Sequence, residues 1–292
     1  MELQFLFQEP IKEIHELSPG YSGHASDVWL VKTKNQEVVV RASRLTEEPN
    51  NDFWWGIKHT FGIDPRNVLE LESVNNKLKK ITSIPIPAVI GKGKSTREYV
   101  VVEKLEGQVV ASFMDQPSSV LQSLGEGLAR IHQHREAYAG NPAGTFQISL
   151  QQFHLHLSRC TDQLVSRFYS GNEKIVRMLP SVRELLHTLP RPEYSSFVLV
   201  DMDPSQFLSD GRKVTGLVDT EAYVLAPREL DFIALEYVLD EQAAKDFRHG
   251  YENIMPIPDL QTVRLPYRYF YRLLSIQGSV DLDEWLGVEK LF

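Results

Sequence analysis

The sequence predicts an α+β chain in which strands and helices are segregated, a small antiparallel sheet in front and a larger, mainly helical part behind. Three observations predict this. Residues 27–32 (DVWLVK), 37–42 (EVVVRA) and Glu98–Glu103 (EYVVVE) alternate or are β-branched, as half-buried strands are. After Gly107 the apolar residues recur at helical spacing instead. The clearest case is 118–134, where Val120, Leu121, Leu124, Leu128 and Ile131 share one face. The third observation is size: 292 residues, 42% hydrophobic and 24% charged, suffice for one large domain or two ordinary ones without staples.

Taken in order, 18–23 (SPGYSG) reads as a turn, and 27–32 and 37–42 as a hairpin closed by Asn35-Gln36. Residues 64–81 read as a helix, with Asp64 as N-cap, Pro65 at the first position and Val68, Leu71, Val74, Leu78 and Ile81 at helical spacing. Pro85 and Pro87 exclude more helix, and the next strand closes at Leu105-Glu106-Gly107. Residues 150–169 and 174–189 read as helices. Residues 197–200 (FVLV) and 214–218 (VTGLV) read as short strands, the second reached through Ser209-Asp210-Gly211. Beyond Arg228 the chain is mostly helical and rich in aromatics. The division predicts two lobes, residues 1–104 and 105–292.

Composition limits the partners. With 31 basic and 39 acidic residues the net charge is −8, which weighs against a binder of nucleic-acid backbones. The single cysteine, Cys160, rules out an intramolecular disulfide or a cysteine metal cluster. The first twenty residues lack the pattern of a signal peptide, and no apolar run reaches the ~18 residues of a membrane span. A cytoplasmic protein is expected.

The chemistry concentrates in 198–231. One strand ends at Asp201, Gln206 opens the next apolar run, and another strand ends at Asp219. Two strand ends can hold two carboxylates in one cleft at fixed separation. Phosphoryl transfer needs this: one carboxylate orients a hydroxyl and accepts its proton, and another, with an amide side chain, holds Mg²⁺ on the phosphates.

The residues that follow carry a resemblance. Leu199-Val200-Asp201-Met202-Asp203-Pro204-Ser205-Gln206, then Val218-Asp219-Thr220-Glu221, resembles the H-G-D-x-x-P-x-N and I-D-W-E segments of the aminoglycoside phosphotransferase and choline-kinase-like family, whose fold is protein-kinase-like. Residues 226–234 (APRELDFIA), the helix ending Ile131-His132, residues 99–107 (YVVVEKLEG) and Ile84-Pro85-Ile86-Pro87 resemble further family segments in the family's order, from about residue 17 to 234. The resemblance implies a two-lobed fold with a small antiparallel-sheet N-lobe and a larger helical C-lobe. It implies Asp201 as catalytic aspartate, and Asp219 with Gln206 as Mg²⁺ ligands. Gly20, Ser22, Gly23, Ser26 and Arg41 would meet the phosphates of ATP, and the backbone at Glu103 and Leu105 would hold the adenine.

Three positions depart from the family pattern. Gln206 stands for an asparagine, and its extra methylene moves the amide oxygen. Asp203 either compensates or caps the Asp-Pro-Ser turn. Arg41 replaces a lysine, and a planar guanidinium is not a conservative exchange. It clamps phosphates, fills the pocket or sits in an ion pair, for which Glu72 or Glu70 are candidates. Leu199-Val200 replaces His-Gly and changes the loop before the aspartate.

Other signals lead elsewhere. His154 and His156 point about 200° apart on a helix and would not share a metal, and His132 and His134 have the same spacing. Residues 267–272 (YRYFYR) read as a core-packed helix rather than a nucleic-acid platform. Trp54-Trp55 reads as a lobe-edge cap or a partner patch. Asp281, Asp283 and Glu284 read as a helix first turn more than an acidic substrate pocket. The expectation is a small-molecule kinase using ATP and Mg²⁺ on a hydroxyl of an amino sugar or amino alcohol, with no nucleic-acid or membrane partner. The alternative is a catalytically weak or inactive binding module of the same fold. Residues 219–231 are too few for the activation loop of a protein kinase.

Overall fold

The computed structural model describes residues 3–17 and 25–292. Strands β1 (Glu13–Glu16), β2 (Ser26–Lys32), β3 (Glu37–Ser43), β4 (Val89–Lys94) and β5 (Glu98–Glu103) form one antiparallel sheet in the order β1-β2-β3-β5-β4. The predicted hairpin is β2–β3. In the central strand β3, Arg41 stands opposite Val28 on one side and Val100 on the other. Alternation along the strand assigns the faces. Val38, Val40 and Ala42 pack with Leu3, Ile11, Val31, Tyr99 and Val101. Val39 packs with Val68, Leu71, Val100 and Val102 on the opposite face, which Arg41 shares.

Two helices lie between β3 and β4: α1 (Asp52–Phe61) and α2 (Leu71–Ile81). In α1, the Asn51 side chain caps the Trp54 amide at 2.8 Å and Gly62 ends the helix at φ 74°. Trp54 and Trp55 are buried within this helix, in the main core, so they form neither an edge cap nor an exposed patch. The predicted helix over 64–81 starts later, at Leu71, after a 3₁₀ turn at Val68–Glu70. Asp64 accepts from the Arg66 amide at 3.0 Å and from its guanidinium, with Lys58 at 3.0 Å. Local bonds of this kind compete with helix formation.

The helical part holds α3 (Ser118–Gln133), α4 (Phe153–Phe168), α5 (Glu173–Thr188), α6 (Glu229–Leu235), α7 (Glu241–Glu252), α8 (Arg264–Leu273) and α9 (Leu282–Leu286). Helices α3 and α7 approach so closely that a Cβ on Gly125 would stand 2.2 Å from the Phe247 carbonyl oxygen. Helix α8 carries the Tyr-Arg run into the core, where Arg268 pairs with the fully buried Glu236 at 2.7 Å.

Two small sheets thread this part. Strands β7 (Tyr138–Gly140), β8 (Gln147–Ser149), β9 (Ser196–Leu199) and β12 (Tyr223–Ala226) run in the order β8-β7-β12-β9. Strands β6 (Gln108–Val109), β10 (Phe207–Ser209) and β11 (Val214–Leu217) run β11-β10-β6. The mixed architecture is thus α+β, as expected. Among the described residues, no helix is long and apolar enough to cross a membrane.

Candidate active site

Strand β9 is buried along its whole length and delivers the chain to Asp201 two residues past its end. Its last residue is fixed from behind. Asp231, in α6, accepts the Leu199 amide at 2.8 Å through Oδ1, and its Oδ2 lies 2.9 Å from His132 Nε2. His132 Nδ1 meets the Tyr251 hydroxyl at 2.9 Å. Burial pushes the Asp231 carboxyl up, and the His132 contacts pull it back. His132 is therefore part of a buried support for the loop. A carboxylate and an imidazole without solvent persist inside a protein only when so paired.

Past Asp201 the chain turns sharply. Asp203 Oδ1 accepts the Ser205 amide at 2.7 Å, and Gln206 Oε1 accepts the Asp203 amide at 3.3 Å. These reciprocal bonds form a capping box on the short turn Pro204–Gln206. Asp203 thus takes the capping alternative, and the Gln206 amide oxygen is turned back toward the loop. The Gln206 carbonyl in turn accepts the Val218 amide at 2.9 Å, which ties this loop to the segment carrying Asp219.

Asp219 follows β11, and Arg41 reaches it from the other sheet. Arg41 Nη2 donates to Asp219 Oδ1 at 2.9 Å, Nε to Glu221 Oε1 at 3.0 Å, and Nη1 to the Val218 carbonyl at 3.3 Å. Glu221 Oε2 also accepts from the Ser26 hydroxyl at 2.8 Å. Between the two carboxylates, buried Thr220 donates to Asn75 Oδ1 of α2, while Asn75 Nδ2 donates to the Pro87 carbonyl at 2.9 Å. Burial alone would lower the Arg41 pKa, but Asp219 and Glu221 together raise it.

The partner expected for Arg41 is corrected here. Glu72, in the first turn of α2, pairs with Lys92 of the edge strand β4, and Glu70 meets Asn67. Asp219 and Glu221 take the guanidinium instead. Glu103 ends β5, where its amide donates to the Ala88 carbonyl at 2.9 Å. Leu105 follows in the connecting segment and lies against Gly216 of β11. Gly20, Ser22 and Gly23 lie outside the described residues.

Asp201 feels its neighbours. Burial first, and the Asp219 and Asp203 charges second, push its carboxyl up to about 7. A carboxyl poised there can accept a proton at neutral pH. Among the described residues, no three His, Cys, Asp or Glu side chains are gathered tightly enough to hold a metal ion by themselves. Asp219 and Gln206 carry hard oxygens of the kind Mg²⁺ takes alongside phosphate oxygens and water, but Asp219 Oδ1 is engaged by Arg41 and Gln206 Oε1 by the Asp203 amide.

Two residues take roles that the sequence does not indicate. Glu221 lies in the Val218–Glu221 segment, but nothing local marks it as the partner of a strand 180 residues earlier. Ser26, on β2, is a phosphate donor in the sequence reading and here donates to Glu221 instead.

The model of the phosphotransferase enzyme family matches residues 16–265. No curated protein matches the chain. Among solved structures, the GDP complex of a point mutant of aminoglycoside 2'-phosphotransferase-IIIa is similar at 17% identity and TM-score 0.65, over 98% of this chain and 91% of that one. Spectinomycin phosphotransferase APH(9)-Ia with ADP and spectinomycin is similar at 12% identity and TM-score 0.59, over 94% and 84%. Macrolide 2'-phosphotransferase MphH from Brachybacterium faecium is similar at 12% identity and TM-score 0.60, over 92% and 87%. At these identities the likeness is one of fold.

Proposed function

The chain belongs to the phosphotransferase enzyme family, and from that premise we propose that it is a small-molecule kinase moving the γ-phosphate of ATP to a hydroxyl of an amino sugar or amino alcohol. The observation that carries this reading is the meeting of Asp201 and Asp219, delivered by two different strand ends, with the carboxyl of Asp201 raised to about 7. The solved relatives bind GDP, or ADP together with spectinomycin, which supports a nucleotide and a small hydroxyl-bearing substrate here.

In this reading the sheet of residues 1–104 and the helical part of 105–292 are the two lobes, with the adenine against the backbone at Glu103 and Leu105. Asp201 orients the acceptor hydroxyl and takes its proton as the oxygen attacks phosphorus. Asp219 and Gln206 would hold Mg²⁺, which when bound would supply positive charge against the transferring phosphate. Arg41 donates to the phosphates through Nη2 once they displace it from Asp219, and Glu221 keeps its Nε edge aimed. The reading is tested by ADP release with ATP and Mg²⁺ across aminoglycosides, spectinomycin, choline and ethanolamine. Turnover of at least one, lost by about a thousandfold or more in Asp201→Asn, is expected; turnover unchanged by that substitution overturns the role of Asp201.

One observation favours the second reading, a weak or inactive binding module. Arg41 already neutralises Asp219, and the Gln206 oxygen already accepts a backbone hydrogen bond. Nucleotide-dependent thermal stabilisation without ADP release from any member of that panel would select this reading.

A further inference from the structure

A cavity of about 480 Å³ opens at the other end of β9 from Asp201. Tyr194, on its wall, precedes the strand, and Asp201 follows it, so about 13 Å of extended chain separates the two ends. The size falls in the range of small-molecule sites.

Its floor holds two opposite charges that do not pair with each other. Arg228 and Glu229 are neighbours in sequence, and both are partly buried. Arg228 spends only Nη1, on the Tyr251 hydroxyl at 2.8 Å and the Pro256 carbonyl at 2.8 Å. Among the described residues its Nε and Nη2 donate to nothing, and that edge is the fork that grips a carboxylate or phosphate with two hydrogen bonds. Glu229 has no hydrogen-bond or ion-pair partner among the described residues. Carboxylates withdrawn from water in this way gain by acquiring a cation. Apolar surface comes from Ile254 and Met255, and the Tyr194 ring stands beside them, braced by the Arg135 guanidinium 4.5 Å above it.

We propose that this cavity is a second binding site, separate from the phosphotransfer cleft, for a small zwitterion of the amino-acid type. The ligand's anionic group meets the free edge of Arg228, its ammonium meets Glu229, and its carbon skeleton lies on Tyr194, Ile254 and Met255. A singly charged ligand leaves either the free edge of Arg228 or the Glu229 carboxylate without a partner, so the site favours a zwitterion over it. The floor is also rigid where it matters. Tyr251, which holds Arg228, is itself held by His132 in the buried network behind β9.

The test is isothermal titration of the full chain with L-leucine, L-methionine and phosphoethanolamine, against isovalerate and isobutylamine as singly charged controls. The first two probes carry a carboxylate and the third a phosphate, so their order identifies the anion. Expected is binding of at least one zwitterion about tenfold or more tighter than both controls, weakened about tenfold or more by Glu229→Gln. That variant breaks no hydrogen bond of the fold, and an unchanged melting temperature confirms its integrity. Saturating ATP leaves the titration unaltered, which separates this site from the cleft. Zwitterions binding no better than the controls, affinity unchanged in Glu229→Gln, or competition by ATP each overturns the proposal.

Discussion

Arg41 and Glu221, 180 residues apart, hold an ion pair between Nε and Oε1 at 3.0 Å, with Arg41 only 6% exposed. Removing one partner of a buried pair leaves the other charge without compensation. Arg41→Ala strands the buried Glu221, while the half-exposed Asp219 is left to solvent, and is expected to cost about 3 kcal/mol in urea unfolding. Glu221→Ala leaves Arg41 bonded to Asp219 and costs less. The double variant should lose clearly less than the sum of the two single losses, because the groups interact directly. Strict additivity would show that the pair contributes nothing.

The same guanidinium is the counter-ion of Asp219, at 2.9 Å. Any cation approaching that carboxylate in the absence of nucleotide meets a fixed positive charge. Arg41→Gln should therefore bind Mn²⁺ alone about tenfold or more tighter than the native chain, as counted by the loss of the free-ion paramagnetic resonance signal. Equal affinity in the two proteins would show that Arg41 does not restrict cation binding at Asp219.

These contacts separate what the sequence discloses from what it conceals. The strands around 27–32 and 37–42 are legible because alternation and a hairpin turn are local properties of neighbouring residues. The positions of Asp201 and Asp219 are legible because each directly follows an apolar run. Helix α1 is concealed, since Phe53-Trp54-Trp55 places three aromatics side by side and blurs the helical period. Strand β4 is concealed by Gly91 and Gly93, which weaken any strand signal. The pairing of Arg41 with Glu221 in place of Glu72 is set by how the two sheets meet, and no spacing within either segment encodes that meeting.

The raised Asp201 carboxyl has a consequence for stability. Burial, then Asp219 and Asp203, hold it near 7 in the folded chain, whereas an unfolded aspartate titrates near its ordinary value of 3.8. Between these values the folded state keeps a proton that the unfolded state has released, so the unfolding free energy falls as pH rises through that window. Asp201→Asn removes the titration. Its melting temperature relative to the native chain should therefore climb from pH 5 to pH 8. A difference independent of pH would place the Asp201 carboxyl at its ordinary value. In the proposed reaction the same group makes log kcat/KM rise with pH and level off above about 7.

Asp231 supports Asp201 without touching it. Its two oxygens hold the Leu199 amide at 2.8 Å and His132 Nε2 at 2.9 Å, and neither acid nor imidazole meets solvent. Asp231→Ala leaves the Leu199 amide and His132 Nε2 buried without that partner, at a cost of about 1–3 kcal/mol for each. Asp231→Asn keeps an acceptor for the Leu199 amide and a polar group for His132, so it should be far milder. A general loss of fold would affect every amide alike. Loss of this support instead speeds hydrogen exchange at Leu199 and its β9 neighbours more than in the sheet around Arg41. In the kinetics it lowers kcat, through a displaced Asp201, while the KM for nucleotide holds, because the Arg41–Asp219 side is untouched. Slow exchange at Leu199 in Asp231→Ala, or equal damage from Ala and Asn, would show that β9 is held by its strand pairing alone.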